Sequence, residues 1–156
     1  NVKGIWLNYY LKEWSNLESA TFSKNFGFKT KSITTDPNSI GTYVKEGSHP
    51  GTYFQLDTDT TQVNQLLKFI KFGFGQCMDH ACYDILEGLL SRDEAKKLVK
   101  KYDGKCSDEY IQKFCNLIGI SNDEFWKTTE KFRGSMWKKS KEGKWINTLW
   151  EYFDKE

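Results

Sequence analysis

A mainly α fold, a multi-helix bundle with a small β or loop portion at its N-terminal side, is predicted by three observations. Val63, Leu66, Leu67, Ile70 and Phe74 stand at the i, i+3, i+4, i+7 and i+11 spacing of one helix face. Capping pairs recur, with Ser15 before Glu18, Ser91 before Glu94 and Ser121 before Glu124. Turn chemistry gathers instead in the first third, at Thr34-Thr35-Asp36-Pro37-Asn38-Ser39 and Gly47-Ser48-His49-Pro50-Gly51. The 156 residues suit a packed core, and 16% aromatic residues with six Trp supply bulky material for it. Only two prolines and 28% charged residues argue against a disordered chain.

The elements follow in order. Gly4-Ile5-Trp6-Leu7-Asn8-Tyr9-Tyr10-Leu11 reads as a short strand. Ser15 and Glu18 open a helix expected to run to about Phe26, with Gly27 closing it. From Lys29 to Leu56 the pattern is irregular, and Gly41-Thr42-Tyr43-Val44 could pair with Gly51-Thr52-Tyr53-Phe54 as a hairpin. His49, beside Pro50, reads as an exposed turn residue. Caps at 57–61 precede a central helix enclosed on most sides, because Phe69 and Phe72 add a second apolar face. Its polar stripe is Asn64, Lys68, Lys71 and Gly75.

Gly73 and Gly75 each weaken a helix by about 1 kcal/mol relative to alanine, so the helix breaks there or another backbone comes close. Beyond them Met78, Ala81, Cys82, Ile85 and Leu89 restart the apolar spacing, with His80, Asp84 and Glu87 on the other side. Two helices meeting at a glycine joint would set lysines against an Asp/His face. Ser91 opens a helix with Ala95, Leu98, Val99 and Tyr102 inward, whose lysines read as a solvated face, and Asp103-Gly104 stops it. Ser107 starts the next, with Tyr110, Ile111, Phe114, Cys115 and Ile118 buried, and Gly119 ends it. Ser121 caps a helix carrying Phe125, Trp126 and Phe132. In the tail, Trp145-Ile146 should dock as a strand or turn, followed by an appended helix. The chain thus divides into 1–58, a helical domain 59–134, and a Trp-rich docking tail 135–156.

Net charge is +2, from 23 basic and 21 acidic residues, which gives no global field for nucleic acid or an anionic membrane. No apolar run nears the roughly 20 residues of a membrane span, and no signal-peptide pattern is present, so a soluble cytoplasmic protein is expected. Cys77, Cys82, Cys106 and Cys115 lack paired metal-ligand spacing and read as reduced thiols without a metal.

One ordered series is more specific. Phe69-Ile70-Lys71-Phe72-Gly73-Phe74-Gly75, Asp79-His80-Ala81, Ser91-Arg92-Asp93-Glu94-Ala95, Tyr102-Asp103-Gly104-Lys105-Cys106 and Ile118-Gly119-Ile120-Ser121-Asn122-Asp123-Glu124-Phe125-Trp126 occur in succession. Together they resemble the C-terminal region of the N-acetyl sugar amidotransferases, PP-loop enzymes of bacterial surface-polysaccharide and nonulosonic-acid synthesis. The resemblance is clearest from Lys68 to Trp126.

That resemblance implies a parent enzyme that uses ATP and Mg to convert a sugar N-acetyl group to an acetamidino group. It implies a glutaminase subunit supplying ammonia and an N-acetyl sugar or sugar-nucleotide substrate, with a homo-oligomer also among the expected assemblies. The family's Ser-Gly-Gly-rich ATP loop does not occur here, and the chain begins at Asn1 as if cut from something longer. Residues 1–58 are accordingly expected to continue a separate ATP-binding domain. No catalytic nucleophile is assigned. Lys68 and Lys71 are the candidates to hold a phosphate or substrate carboxylate, Asp79, His80 and Asp84 to meet the sugar or ammonia, and Gly73 and Gly75 to form the joint between them. Gln76 and Leu86 depart from the pattern, each standing where the family is expected to carry a basic residue, which leaves the particular sugar open. The alternative is a non-catalytic helical module for partner docking or oligomerisation.

Overall fold

The computed structural model describes residues 3–4, 15–30, 40–45, 53 and 58–153. Among them stand seven α-helices and one two-stranded hairpin, so the fold is mainly α. Helix α1 (Asn16–Lys24) starts where the Ser15 hydroxyl accepts the Glu18 N–H at 3.2 Å. The central helix α2 (Thr60–Phe72) ends at Gly73, and α3 (Gln76–Leu86) begins at Gly75. The helix therefore breaks at the glycines, as their propensity cost requires.

Helix α4 (Arg92–Tyr102) opens with a complete capping box, in which Ser91 and Glu94 satisfy each other's backbone N–H. Ser91→Ala is expected to lower stability by about 1 kcal/mol in urea unfolding. An unchanged midpoint would mean that the box contributes nothing. Helix α5 (Asp108–Ile118) is closed by Gly119, and Ser121 caps α6 (Asn122–Lys131). The tail forms β1 (Trp137–Lys139), antiparallel to β2 (Trp145–Asn147), then α7 (Leu149–Phe153). Trp145-Ile146 is thus the strand expected of it.

The glycine joint separates two cores. On one side Val63, Leu66 and Ile70 of α2 pack with Ile111 and Cys115 of α5 and Phe125 of α6. On the other, Cys77 and Ala81 of α3 pack with Ala95 and Val99 of α4, and with Tyr43. Each core side chain removed from water contributes on the order of 1.5–3 kcal/mol for a large aliphatic or aromatic residue. The tail closes over the joint: Phe69 meets the Trp137 ring edge-on at 5.1 Å and the Trp150 ring at 6.1 Å.

Several expectations change. The described β structure lies toward the C-terminal side, and Gly41–Val44 is turn and irregular backbone with no strand. Its expected partner is described only at Tyr53, and the strand expected over Gly4–Leu11 falls outside the described residues beyond Gly4. The two turn clusters of the first third, His49 included, also lie outside them. Phe72 and Ile118 are 48% and 50% exposed, because each sits at the last turn of a helix that a glycine ends. On α3, His80 and Asp84 are 3% and 0% exposed, whereas Ile85 is 38% exposed. The polar line is the enclosed one, since the 40–45 segment packs upon it.

Candidate functional site at the glycine joint

Gly73 takes φ +81, a left-handed conformation that glycine adopts without the Cβ penalty. Its N–H donates to the Phe69 carbonyl at 2.7 Å, and its own carbonyl accepts the Asn147 side-chain amide at 2.6 Å. A Cβ here would stand 2.8 Å from Met136 Cβ. The tail is therefore seated directly on the joint.

Gly75 faces the other way. Its N–H donates to Asp103 Oδ2 at 2.8 Å, and the Cys77 N–H donates to Asp103 Oδ1 at 3.1 Å. A Cβ on Gly75 would meet Asp103 Oδ1 at 2.8 Å. A carboxylate from the end of α4 thus caps the start of α3, where the helix dipole favours negative charge. Burial nonetheless pushes the Asp103 carboxyl up to about 6, against the pull of the Gly75 and Cys77 N–H groups, and Asp79 adds to the rise. Sequence reasoning saw Asp103 only as a helix stop, since nothing local announces partners 28 and 26 positions upstream.

Across this joint Lys68 of α2 meets Asp79 of α3, Nζ to Oδ2 at 2.5 Å, with side chains 27% and 40% exposed. The same ammonium lies 4.8 Å from the centre of the Phe74 ring. Both groups are half-buried and reachable, so either could exchange its partner for a ligand group.

The other candidates lie elsewhere. His80 Nδ1 is 2.8 Å from the Thr42 hydroxyl, and the Tyr43 hydroxyl donates to Asp84 Oδ2. Burial, then the charges of Asp84 and Glu87, raise the Tyr53 phenol well above its usual range, which puts Tyr53 beside the same cluster. His80 and Asp84 therefore anchor the upstream segment to α3 rather than face an open site. Lys71 lines a separate, mostly apolar cavity of about 350 Å³ between α2, α5 and α6, with Ile70, Phe114 and Phe125. The seven candidate residues thus occupy three places: Lys68, Asp79 and the two glycines at the joint, His80 and Asp84 beneath the 40–45 segment, and Lys71 at the apolar cavity.

Residues 38–154 match the family model described as LPS biosynthesis protein WbpG-like, C-terminal domain. The chain belongs to this family. The match spans the glycine joint, both cores and the tail hairpin of the WbpG-like domain, so all the geometry above falls within it except α1. No curated protein matches the chain. Among the described residues of this LPS biosynthesis domain, no helix is long and apolar enough to cross a membrane. No group of three or more His, Cys, Asp or Glu among them could hold a metal ion.

Proposed function

We propose that this WbpG-like domain is the substrate-holding part of an ATP-dependent amidotransferase, one that converts a sugar N-acetyl group to an acetamidino group with ammonia from a glutaminase subunit. The observation that carries the reading is the Lys68–Asp79 pair at the glycine joint, where the motif series that resembles those enzymes begins. Net replacement of the acetamido oxygen by nitrogen needs the amide held still and anionic groups on the substrate neutralised. Lys68 is suited to an anionic group of the substrate, with Lys71 a further cation on the same helix. Asp79 is suited to a sugar hydroxyl or to ammonium. His80 and Asp84 act as positioning residues, keeping the 40–45 segment on α3.

The glycine-opened start of α3 does not fit a nucleotide's phosphates, because its N–H groups are already given to Asp103. ATP and Mg are accordingly assigned to the rest of the parent enzyme.

In the parent enzyme, Lys68→Ala or Asp79→Ala is expected to lower kcat/KM for amidine formation by about 30- to 150-fold, the loss typical of one charged hydrogen bond of about 2–3 kcal/mol. An amidine assay with candidate sugar nucleotides reads this out. Unchanged rate and substrate affinity in both variants would remove the joint from the site.

A second reading, a module that docks a partner, is favoured by Leu117, Ile118 and Phe132, which are 71%, 50% and 66% exposed on or just beyond α5 and α6. If the parent enzyme carries out no amidine formation while Phe132→Ser dissociates a complex, this reading replaces the first.

A further inference from the structure

Lys71 lines the α2–α5–α6 cavity, and it also connects that cavity to the joint. It stands one turn beyond Lys68 on α2, so the two side chains are neighbours. Its ammonium lies 5.2 Å from the centre of the Phe72 ring, the Phe72 and Phe74 rings lie 6.2 Å apart, and the Lys68 ammonium lies 4.8 Å from Phe74. A continuous strip thus runs from the Lys68–Asp79 pair over two aromatic rings to Lys71 and the cavity. Among the described residues no carboxylate pairs with Lys71.

The cavity walls decide what fits inside. Leu67 and Ile70 of α2, Phe114 of α5 and Phe125 of α6 line the interior, while Ile118 and Phe132, 50% and 66% exposed, make the rim apolar too. The Thr129 hydroxyl donates to the Phe125 carbonyl at 2.7 Å, so Lys71 and the Thr128 hydroxyl are the polar lining side chains left for a ligand. A volume of about 350 Å³ lies within the range of small-molecule sites, which are mostly apolar with a few placed polar groups. A nucleobase edge carries several donors and acceptors, and each one buried here without a partner would cost affinity. An aliphatic chain has none to lose.

We propose that the acetamido substrate reaches the joint as a sugar carried on an aliphatic phosphate. The chain lies in the α2–α5–α6 cavity, the phosphate meets Lys71, and the sugar lies one turn away at Lys68 and Asp79. This assignment of the substrate class rests on the amidotransferase reading, and it selects an aliphatic carrier over a nucleotide.

The test is a chemical-shift titration of the isotope-labelled 156-residue chain with octyl phosphate, octanol, uridine monophosphate and inorganic phosphate. Octyl phosphate is expected to give saturable shifts in α2, α5 and α6, largest near Ile70, Phe114 and Phe125, and to bind roughly tenfold or more tightly than uridine monophosphate or phosphate. Lys71→Gln should weaken octyl phosphate by about fivefold, the upper range for one exposed charge pair, while Lys71→Arg keeps the affinity and octanol binds all three chains alike. Absence of saturable shifts at these positions overturns the proposal. So does uridine monophosphate binding as tightly as octyl phosphate, or an unchanged octyl phosphate affinity in Lys71→Gln. Amidine formation by a parent enzyme that ignores octyl phosphate would remove the aliphatic carrier and leave the amidotransferase reading standing. Octyl phosphate bound as expected by a parent enzyme that forms no amidine would sink that reading, and the sugar at the joint with it.

Discussion

Gly73→Ala is expected to lower the free energy of unfolding by about 3 kcal/mol, from two separate causes. The residue must hold φ +81, which costs a side chain about 1–2 kcal/mol. Its Cβ would also stand 2.8 Å from Met136 Cβ and 3.1 Å from Leu149 Cδ1, so the tail must shift, at an overpacking cost of about 1–3 kcal/mol. Gly119 separates these terms, since it has φ +75 with nothing within 4 Å of an added Cβ. Gly119→Ala should therefore lose only about 1 kcal/mol. Urea unfolding of both variants decides the matter. Equal losses would mean that the tail does not rest on the joint as described.

Asp103→Ala should cost about 3 kcal/mol at neutral pH, because it strands the buried N–H groups of Gly75 and Cys77 without an acceptor. The pH dependence has the opposite sign from that of an ordinary capping carboxylate. Burial raises this carboxyl from 3.8 to about 6 in the folded chain, so the folded state binds the proton more tightly than the unfolded one. Stability from this group is fully present below pH 3.8 and is lost as pH rises through about 6. A shift of roughly two units corresponds to about 3 kcal/mol across that window. Glu94 and Glu130 are lowered and pull the other way, chiefly through Ser91 and Arg133 respectively. The clean readout is therefore the difference between the parent chain and Asp103→Asn, measured by denaturant unfolding at several pH values. That difference should change steadily through the window and become flat above it. A difference independent of pH would show that the carboxyl titrates as though exposed.

Local chemistry made much of this domain legible. Ser91 with Glu94, and Gly119 after Ile118, mark helix ends through bonds that span three to five residues, so the boundaries of α4 and α5 follow from adjacent positions. The break at Gly73 and Gly75 followed from helix propensity in the same way. The enclosure of His80 and Asp84 did not, because their partners Thr42 and Tyr43 lie 38 and 41 positions upstream in a segment without periodic pattern. Periodicity ranks faces by hydrophobicity, and it set the polar face of α3 toward the lysines of α2 rather than against the 40–45 segment that encloses it. The pairing of Lys68 with Asp79 depended on the angle at which the joint turns the chain, which spacing alone does not give.

By itself the order of residues determined the helices, their caps and the glycine break, since each depends on the conformational preference of a few neighbours. Tertiary structure alone decided that Asp103 plugs the start of α3, that the tail sits on Gly73, and that the candidate residues divide among three places. Those contacts join residues distant in the chain, and their strength comes from burial, a property of the assembled fold.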